Sequence, residues 1–200
     1  MRDHDNIADV ATFAPDYMGF IFYEKSPRFV GADFRIPVSL PSSINRVGVF
    51  VNEDPGAVVA KASTIGFDHI QLHGNEPVGQ CRELRSHGLK VIKVFSVDDS
   101  FDFADTSRFS DHVDYFLFDT RGQYFGGNAK KFNWEILKQY DQEVPFFLSG
   151  GLSAENIGSI SMLVEMNLYA LDINSGVEEY PGMKSMKKID EILSKVKEDR

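Results

Sequence analysis

Two glycine-bearing segments follow late apolar runs of the chain and could bind an anion. They are Ser149-Gly150-Gly151 and Asn174-Ser175-Gly176. Small residues let backbone N–H groups approach a phosphate closely, and a helix predicted from Ser153 would add the positive end of its dipole. Glycines can also serve only to make tight turns. Two such turns in succession nevertheless favour a phosphate site.

A carboxyl group and a guanidinium group also follow predicted strands. Asp119 ends the apolar run Tyr115–Phe118, and a partly buried carboxyl at that place suits a general acid. Capping of a turn, or pairing with Arg121, would explain Asp119 equally well. Arg28 follows Ser26-Pro27, a stiff turn that would fix the direction of its guanidinium group. The forked N–H donors of that group match a carboxylate, although a lone arginine is more often a surface residue.

Three polar side chains share one face of a short predicted strand: His69, Gln71 and His73. The two histidines could suggest a metal pair, but at the rise of a strand they stand about 13 Å apart. No carboxylate or third histidine has a matching spacing. We therefore expect no metal, and we predict that Gln71 and His73 are polar groups of a pocket, with His73 in contact with a ligand.

Two further residues are predicted to be structural. Lys93 lies in an apolar run and needs a partner if it is buried, so we expect an ion pair with a carboxylate of a neighbouring strand. Cys81, the only cysteine, lies in a helical segment away from every strand end and is expected to be an inert packing residue. A single cysteine excludes a disulfide framework and indicates a reducing, cytoplasmic location.

These side chains must be positioned by alternating strands and helices. Seven short apolar runs are predicted strands: 17–23, 46–51, 69–72, 90–95, 115–119, 146–149 and 169–173. Helical spacing of apolar residues covers 3–13, 55–65, 78–86, 153–166 and 184–196. The predicted class is α/β with a parallel sheet in one domain spanning 1–200. A closed barrel and a doubly wound open sheet both fit, but no strand is followed by the dinucleotide fingerprint Gly-x-Gly-x-x-Gly.

Composition narrows the possible partners. The chain has 200 residues, 42% of them hydrophobic, and a formal net charge of −9. An excess of acidic residues disfavours binding to nucleic acid or to an anionic membrane. Charges, Gly or Pro interrupt every apolar run, and residues 1–6 are polar, so we expect a soluble intracellular protein without a signal peptide.

The ordered motifs resemble the phosphoribosylanthranilate isomerase family over essentially the whole chain. The matching segments are 19–28, 46–52, Gln71-Leu72-His73-Gly74-x-Glu76, 118–120, Gly126-Gly127, Phe132-x-Trp134, 148–152 and Ser175-Gly176-Val177-Glu178. The resemblance implies a (βα)₈ TIM barrel, a phosphoribosyl substrate and an Amadori rearrangement in tryptophan biosynthesis, with no metal or organic cofactor.

The resemblance also implies roles for individual residues. Asp119 matches the acid that opens the ribose ring, and Arg28 matches the residue that faces the anthranilate carboxylate. Gln71, His73 and Asp172 are further substrate contacts by the same comparison. The phosphate site corresponds to Gly150, Gly151, Asn174, Ser175 and Gly176.

One departure from the family pattern is large. The family begins with a strand that ends in Cys-Gly, whose cysteine is the general base, whereas this sequence starts with residues that match the family's segment after that Cys-Gly pair. We therefore expect seven strands, little or no activity of the chain as given, and an exposed barrel edge through which two copies could pair. The alternative is a non-catalytic barrel remnant that binds sugar phosphates.

Overall fold

Seven short apolar segments form one parallel sheet in the computed structural model, which describes residues 1–120 and 133–198. The strands pair in chain order: β1 (Tyr17–Ile21), β2 (Asn45–Phe50), β3 (His69–Leu72), β4 (Lys90–Val97), β5 (Tyr115–Thr120), β6 (Phe146–Leu148) and β7 (Leu168–Leu171). All seven predicted strands are present, and their ends differ from the prediction by one or two residues. The carboxyl ends of parallel strands meet at one edge of the sheet, which brings the predicted site residues together.

Alternation along the strands divides their apolar side chains between two clusters. The inner cluster consists of Val47, Val49, Ile92, Val94, Leu117 and Phe147. A larger cluster joins the outer faces of the strands to the helices and includes Phe20, Phe50, Ile70 and Phe116. Because both faces are covered, strands such as β3 are buried at every residue, as expected for a parallel sheet.

The α-helices pack against the outer face, and the first two begin at an aspartate side-chain cap. They are α1 (His4–Ala11), α2 (Pro55–Ile65), α3 (Val78–Ser86) and α4 (Met186–Glu198). The Asp54 side chain accepts a hydrogen bond from the Ala57 N–H at the start of α2, and Gly66 ends this helix at φ 86°. No helix in the described part of the chain combines the length and apolarity needed to cross a bilayer.

The α-helix predicted over 153–166 is wrong. Residues Ile157–Leu163 form a 3₁₀ helix, preceded by turns. Small polar residues bond locally here and compete with α-helical pairing: the Ser161 hydroxyl donates to the Gly158 carbonyl, and the Asn156 amide to the Gly151 carbonyl. Among residues 1–120 and 133–198, no α-helix therefore starts at the first glycine-bearing turn. Further 3₁₀ segments are Phe103–His112, Trp134–Gln139 and Ser175–Val177.

A short antiparallel hairpin follows the last strand of the main sheet. It consists of β8 (Glu178–Tyr180) and β9 (Met183–Lys184). The helix predicted from residue 184 begins two residues later, at Met186, because Lys184 pairs within this hairpin. Lys184 is joined to α1 by reciprocal bonds: its N–H donates to the Asn6 Oδ1, and the Asn6 Nδ2 donates to its carbonyl.

Strands β1 and β7 lie at the two ends of the sheet, and each has one paired neighbour among the described strands. The edge of β1 is partly covered, since the Met1 amino group donates to the Gly19 carbonyl and the Val30 N–H to the Ile21 carbonyl. At the opposite end of the opening, the Tyr17 and Tyr169 hydroxyls lie 3.4 Å apart. The sheet is thus a curled barrel wall with an opening between β1 and β7.

Candidate functional site

A cavity of about 670 Å³ lies at the carboxyl ends of the strands and continues into the opening between β1 and β7. Its volume is typical of a small-molecule site. The residues predicted to bind substrate all line it: Arg28, Gln71, His73, Asp119, Gly150, Gly151, Asp172, Asn174, Ser175 and Gly176. The structure therefore brings together side chains that are up to 148 positions apart in the sequence.

Asp119 lies at the end of a row of close polar side chains at the cavity wall. The Gln71 Nε2 lies 3.0 Å from the His73 Nδ1, and the His73 Nε2 lies 3.3 Å from the Asp119 Oδ2. The Thr120 N–H donates to the other carboxylate oxygen at 2.8 Å. Asp119 is only 4% exposed, so its carboxyl group reaches the cavity in one fixed orientation. The alternative partner Arg121 lies outside the described residues, as does the Gly126-Gly127 segment.

Asp172 follows β7 and adds a second carboxyl to the cavity. Burial raises its pKa, and the negative charge of Asp119 raises it further. His73, Lys184 and a hydrogen bond from Ser149 act in the opposite direction without cancelling the effect. Of the cavity's groups, Asp172 is thus one that binds a proton more readily than an ordinary aspartate does.

Arg28 is held by Glu178 through a bidentate ion pair. The Arg28 Nε donates to both Glu178 carboxylate oxygens at 2.9 Å, and the Arg28 Nη2 donates to the Oε2 at 2.6 Å. The Ser26 hydroxyl accepts the Arg28 N–H at 3.1 Å, so the turn before it is also fixed. Within the described residues, the Arg28 Nη1 makes no hydrogen bond and stays available to a ligand.

The two glycine-bearing turns lie against each other and against β5. Gly150 has φ 89°, and a Cβ there would collide with the Thr120 side chain and backbone. A Cβ on Gly176 would collide with the Leu152 carbonyl. Both glycines are therefore required by close approach, and the two turns form adjacent parts of the cavity wall, as predicted.

The predicted ion pair of Lys93 and the predicted packing role of Cys81 are confirmed, but the prediction that the partner of Lys93 lies on a neighbouring strand is wrong. The Lys93 Nζ donates to the Glu76 carboxylate at 2.7 Å, and this ion pair is buried. Glu76 lies in the loop after β3 rather than on the neighbouring strand itself. Cys81 packs into the core on α3, and burial raises the pKa of its thiol to about 11.

Lys184 is a site residue that no sequence pattern predicts, and the sequence marks Glu178 only as part of a motif. Both lie on the β8–β9 hairpin, whose turn contains Pro181 and Gly182. A Pro-Gly pair between two short segments is a strong turn signal. That signal could have revealed the hairpin, although not its contact with Arg28.

The chain is similar in sequence to one family throughout. A model of the family described as N-(5'-phosphoribosyl)anthranilate (PRA) isomerase matches residues 1–195. The N-(5'-phosphoribosyl)anthranilate isomerase of Parabacteroides distasonis is 41% identical over 199 residues, which cover 98% of this chain and 90% of that protein.

Solved structures of the same family have the same fold. A phosphoribosylanthranilate isomerase bound to reduced 1-(o-carboxyphenylamino)-1-deoxyribulose 5-phosphate has a TM-score of 0.85 and 31% identity, covering 99% of this chain and 95% of the other. Monomers generated from the dimeric enzyme of Thermotoga maritima have a TM-score of 0.82 and 30% identity, covering 98% and 95%. The curled sheet is thus a (βα)₈ TIM-barrel wall.

Proposed function

The chain belongs to the N-(5'-phosphoribosyl)anthranilate isomerase family, and from that premise we propose the role of each residue that faces its cavity. The family reaction is an Amadori rearrangement in tryptophan biosynthesis, and it converts N-(5'-phosphoribosyl)anthranilate to an amino-deoxyribulose phosphate. The convergence of one buried carboxyl, one aimed guanidinium and two glycine-bearing turns on a single cavity supports this function.

Asp119 is the general acid of the proposed mechanism. Its carboxyl gives a proton to the ribose ring oxygen while the bond from that oxygen to C1 breaks and the nitrogen lone pair forms a C=N bond. Loss of the proton on C2 then gives an enol, which becomes the ketose. His73, 3.3 Å from Asp119, is proposed to orient the acid together with Gln71 and to contact the substrate.

Arg28 and the glycine-bearing turns bind the two ends of the substrate in this proposal. The free Nη1 of Arg28 donates to the anthranilate carboxylate. Backbone N–H groups of Gly150, Gly151 and residues 174–176 surround the phosphate, as small residues at adjacent strand ends allow. Asp172 is the proposed contact for the sugar between these ends.

The base that removes the C2 proton is not assigned to a described residue. No cysteine lines the described cavity, and the Cys81 thiol, with its pKa raised to about 11, is protonated at neutral pH. Low turnover of the 200-residue chain therefore stays our prediction. In the alternative function, which is binding of sugar phosphates without turnover, Arg28 and the glycine-bearing turns would bind the ligand in the same way.

Binding of reduced 1-(o-carboxyphenylamino)-1-deoxyribulose 5-phosphate, the reduced analogue, tests the proposal, because it does not require turnover. We expect calorimetry to detect binding to the chain, and Arg28→Met to weaken it by about tenfold to a hundredfold, the value of a hydrogen bond to a charged group. Lys138→Met, which removes an exposed lysine paired with Glu135, is the matched control. Failure of the chain to bind the analogue would contradict the proposed function.

The loss of substrate fluorescence tests the acid separately. Asp119→Asn should lower any measured turnover by about 10²- to 10⁴-fold, while analogue affinity stays within about threefold, since less than about 1 kcal/mol is involved. Equal turnover of the variant and the unaltered chain would exclude Asp119 as the acid. Measurable turnover of the unaltered chain, even if slow, would exclude the alternative function.

We further propose that residues 1–200 fold as one domain and that two chains form a homodimer through the exposed barrel edge. We also propose that the protein acts in the cytoplasm and has no nucleic-acid partner. Among the described strands, β7 has a neighbour on one side only, the Thermotoga maritima relative is described as dimeric, and the net charge of −9 disfavours nucleic acid. Sedimentation equilibrium should give twice the chain mass. A monomer at every concentration would contradict the dimer.

A further inference from the structure

We infer that Glu178 and Lys184 are positioning residues that hold the two ends of the substrate site in a fixed relation: Glu178 aims Arg28, and Lys184 fixes the turn that carries Ser175 and Gly176. This inference rests on the proposed function, because it takes Arg28 as the carboxylate contact and the turn as a phosphate contact. Neither residue is proposed to touch the substrate.

Glu178 is saturated by donors from three directions. Besides the three hydrogen bonds from Arg28, its Oε1 accepts the Gly182 N–H at 3.0 Å and the Lys184 Nζ at 3.1 Å. Its side chain is only 5% exposed, so the carboxylate cannot turn towards the cavity without losing these bonds. Because a bidentate pair fixes the plane of a guanidinium, Glu178 determines where the free Nη1 points.

Lys184 uses its ammonium group entirely within the protein. The Nζ donates to the Asn174 carbonyl at 2.8 Å, to the Asn174 Oδ1 and to the Glu178 Oε1. An ammonium has three protons to donate, so none remains for a direct substrate contact. Its effect on a ligand must therefore pass through Asn174, which opens the turn containing Ser175 and Gly176.

Charge supports the same interpretation. Arg28 and Lys184 carry two positive charges, and Glu178 between them carries one negative charge. Asp172 and the Met1 amino group face the same cluster. Burial lowers the pKa of Lys184, and the attraction of Glu178 and Asp172 opposes this. With Glu178 and Asp172 facing Arg28 and Lys184, the cluster is a set of paired charges that hold one another in place, as positioning residues require.

A merely structural role would predict a different outcome. If Glu178 and Lys184 only stabilised the hairpin, their variants would lower stability and would weaken every ligand by one common factor. Positioning residues instead act on one end of the ligand each. The two roles are separated by comparing ligands that lack one end.

The test combines two variants with three probes. The variants are Glu178→Gln, which keeps the side-chain shape, and Lys184→Met. The probes are the reduced carboxyphenylamino-deoxyribulose phosphate, the same compound without its carboxyl group, and the same compound without its phosphate. Calorimetry gives each dissociation constant, and Lys138→Met is the surface control.

We expect each variant to lose affinity only where its end of the ligand is present. Glu178→Gln should weaken the full analogue about tenfold or more and leave the carboxyl-free probe within about threefold of the unaltered chain. Lys184→Met should weaken the full analogue similarly and leave the phosphate-free probe nearly unchanged. Lys184→Gln, which retains a donor, replaces Lys184→Met if that variant does not fold, and the same pattern is expected of it.

Equal losses for all three probes would overturn the inference and leave the proposed function intact. No loss for the full analogue would overturn it as well. Failure of the unaltered chain to bind the full analogue would instead contradict the proposed function, on which the inference rests. A failure of the inference can thus be distinguished from a failure of the proposed function.

Discussion

Two buried ion clusters at the carboxyl ends of the strands differ in how completely they are closed. In the first, the Lys93 ammonium donates to the Leu72 carbonyl, the Gly74 carbonyl and the Glu76 carboxylate, and Glu76 in turn accepts the Asn52 and Gly74 N–H groups. In the second, Glu178 joins Arg28 and Lys184, and the Arg28 Nη1 has no hydrogen-bond partner among the described residues.

The difference separates a structural pair from a functional cluster. One cation meets one carboxylate in the Lys93–Glu76 pair, so its charges balance and no donor faces a ligand. In the Glu178 cluster one carboxylate pairs with two cations, and the Arg28 Nη1 has no hydrogen-bond partner among the described residues. Burial of ions is common to both clusters, and only the second leaves a charged donor unused, which a substrate can accept.

The largest expected effect is on the closed pair. Lys93→Met leaves the fully buried Glu76 carboxylate without its cation, which should lower the free energy of unfolding by about 3–5 kcal/mol. Urea unfolding measures this, and Lys138→Met should change it by less than about 1 kcal/mol. Analogue affinity of the folded Lys93→Met protein should be unchanged. A tenfold loss of that affinity would show that the Lys93–Glu76 pair supports ligand binding as well, and would contradict its purely structural role.

A smaller effect is expected on the open cluster in acid. Burial alone would raise the pKa of Glu178, but the hydrogen bonds from Arg28 and the charge of Lys184 hold it below its ordinary value of 4.5. A lowered pKa contributes stability above pH 4.5, which is lost as the pH falls through the folded-state value.

Unfolding of Glu178→Gln and of the unaltered chain across this pH range measures that contribution. The stability difference between them should be constant above about pH 5 and should shrink below 4.5. A difference that is independent of pH would mean that the charge of Glu178 contributes nothing to its cluster.

The smallest effect, of opposite sign, is expected at Asp172. Because burial raises its pKa, its ionised form costs stability at neutral pH, and this cost disappears as the pH falls towards the ordinary value of 3.8. Asp172→Asn should therefore be slightly more stable than the unaltered chain at about pH 7 and equally stable near about pH 3. Thermal melts at the two pH values measure this, and a less stable variant at neutral pH would contradict burial as the cause.

The sequence predicts the strands well because each is a short apolar run, and the strands between β1 and β7 are largely buried on both faces. It also predicts which residues meet at the cavity, since residues at the ends of parallel strands must share one edge. The 3₁₀ helix at Ile157–Leu163 has an apolar spacing similar to that of an α-helix, so the spacing alone predicts the wrong helix. The local bonds of Asn156 and Ser161 decide between the two.

The Glu178 cluster could not be predicted in the same way. Arg28 and Glu178 are 150 positions apart, and neither lies in a periodic pattern that points to the other. A motif can mark Glu178 as a residue of interest, but the partner that it holds is determined only when the hairpin packs against the loop that follows β1. The roles of Asp119, Asp172 and the glycine-bearing turns stay predictions until ligands are measured.

The reciprocal bonds between Asn6 and Lys184 have a consequence for the order of events during synthesis. Two segments that lie 178 positions apart in the chain must meet before the hairpin is held. A ribosome-bound chain in which the strands from β1 through β7 have already paired in order therefore still lacks an oriented Arg28. Affinity for a doubly anionic ligand should arise late and abruptly, when the β8–β9 hairpin docks, and not in proportion to the length of sheet already formed.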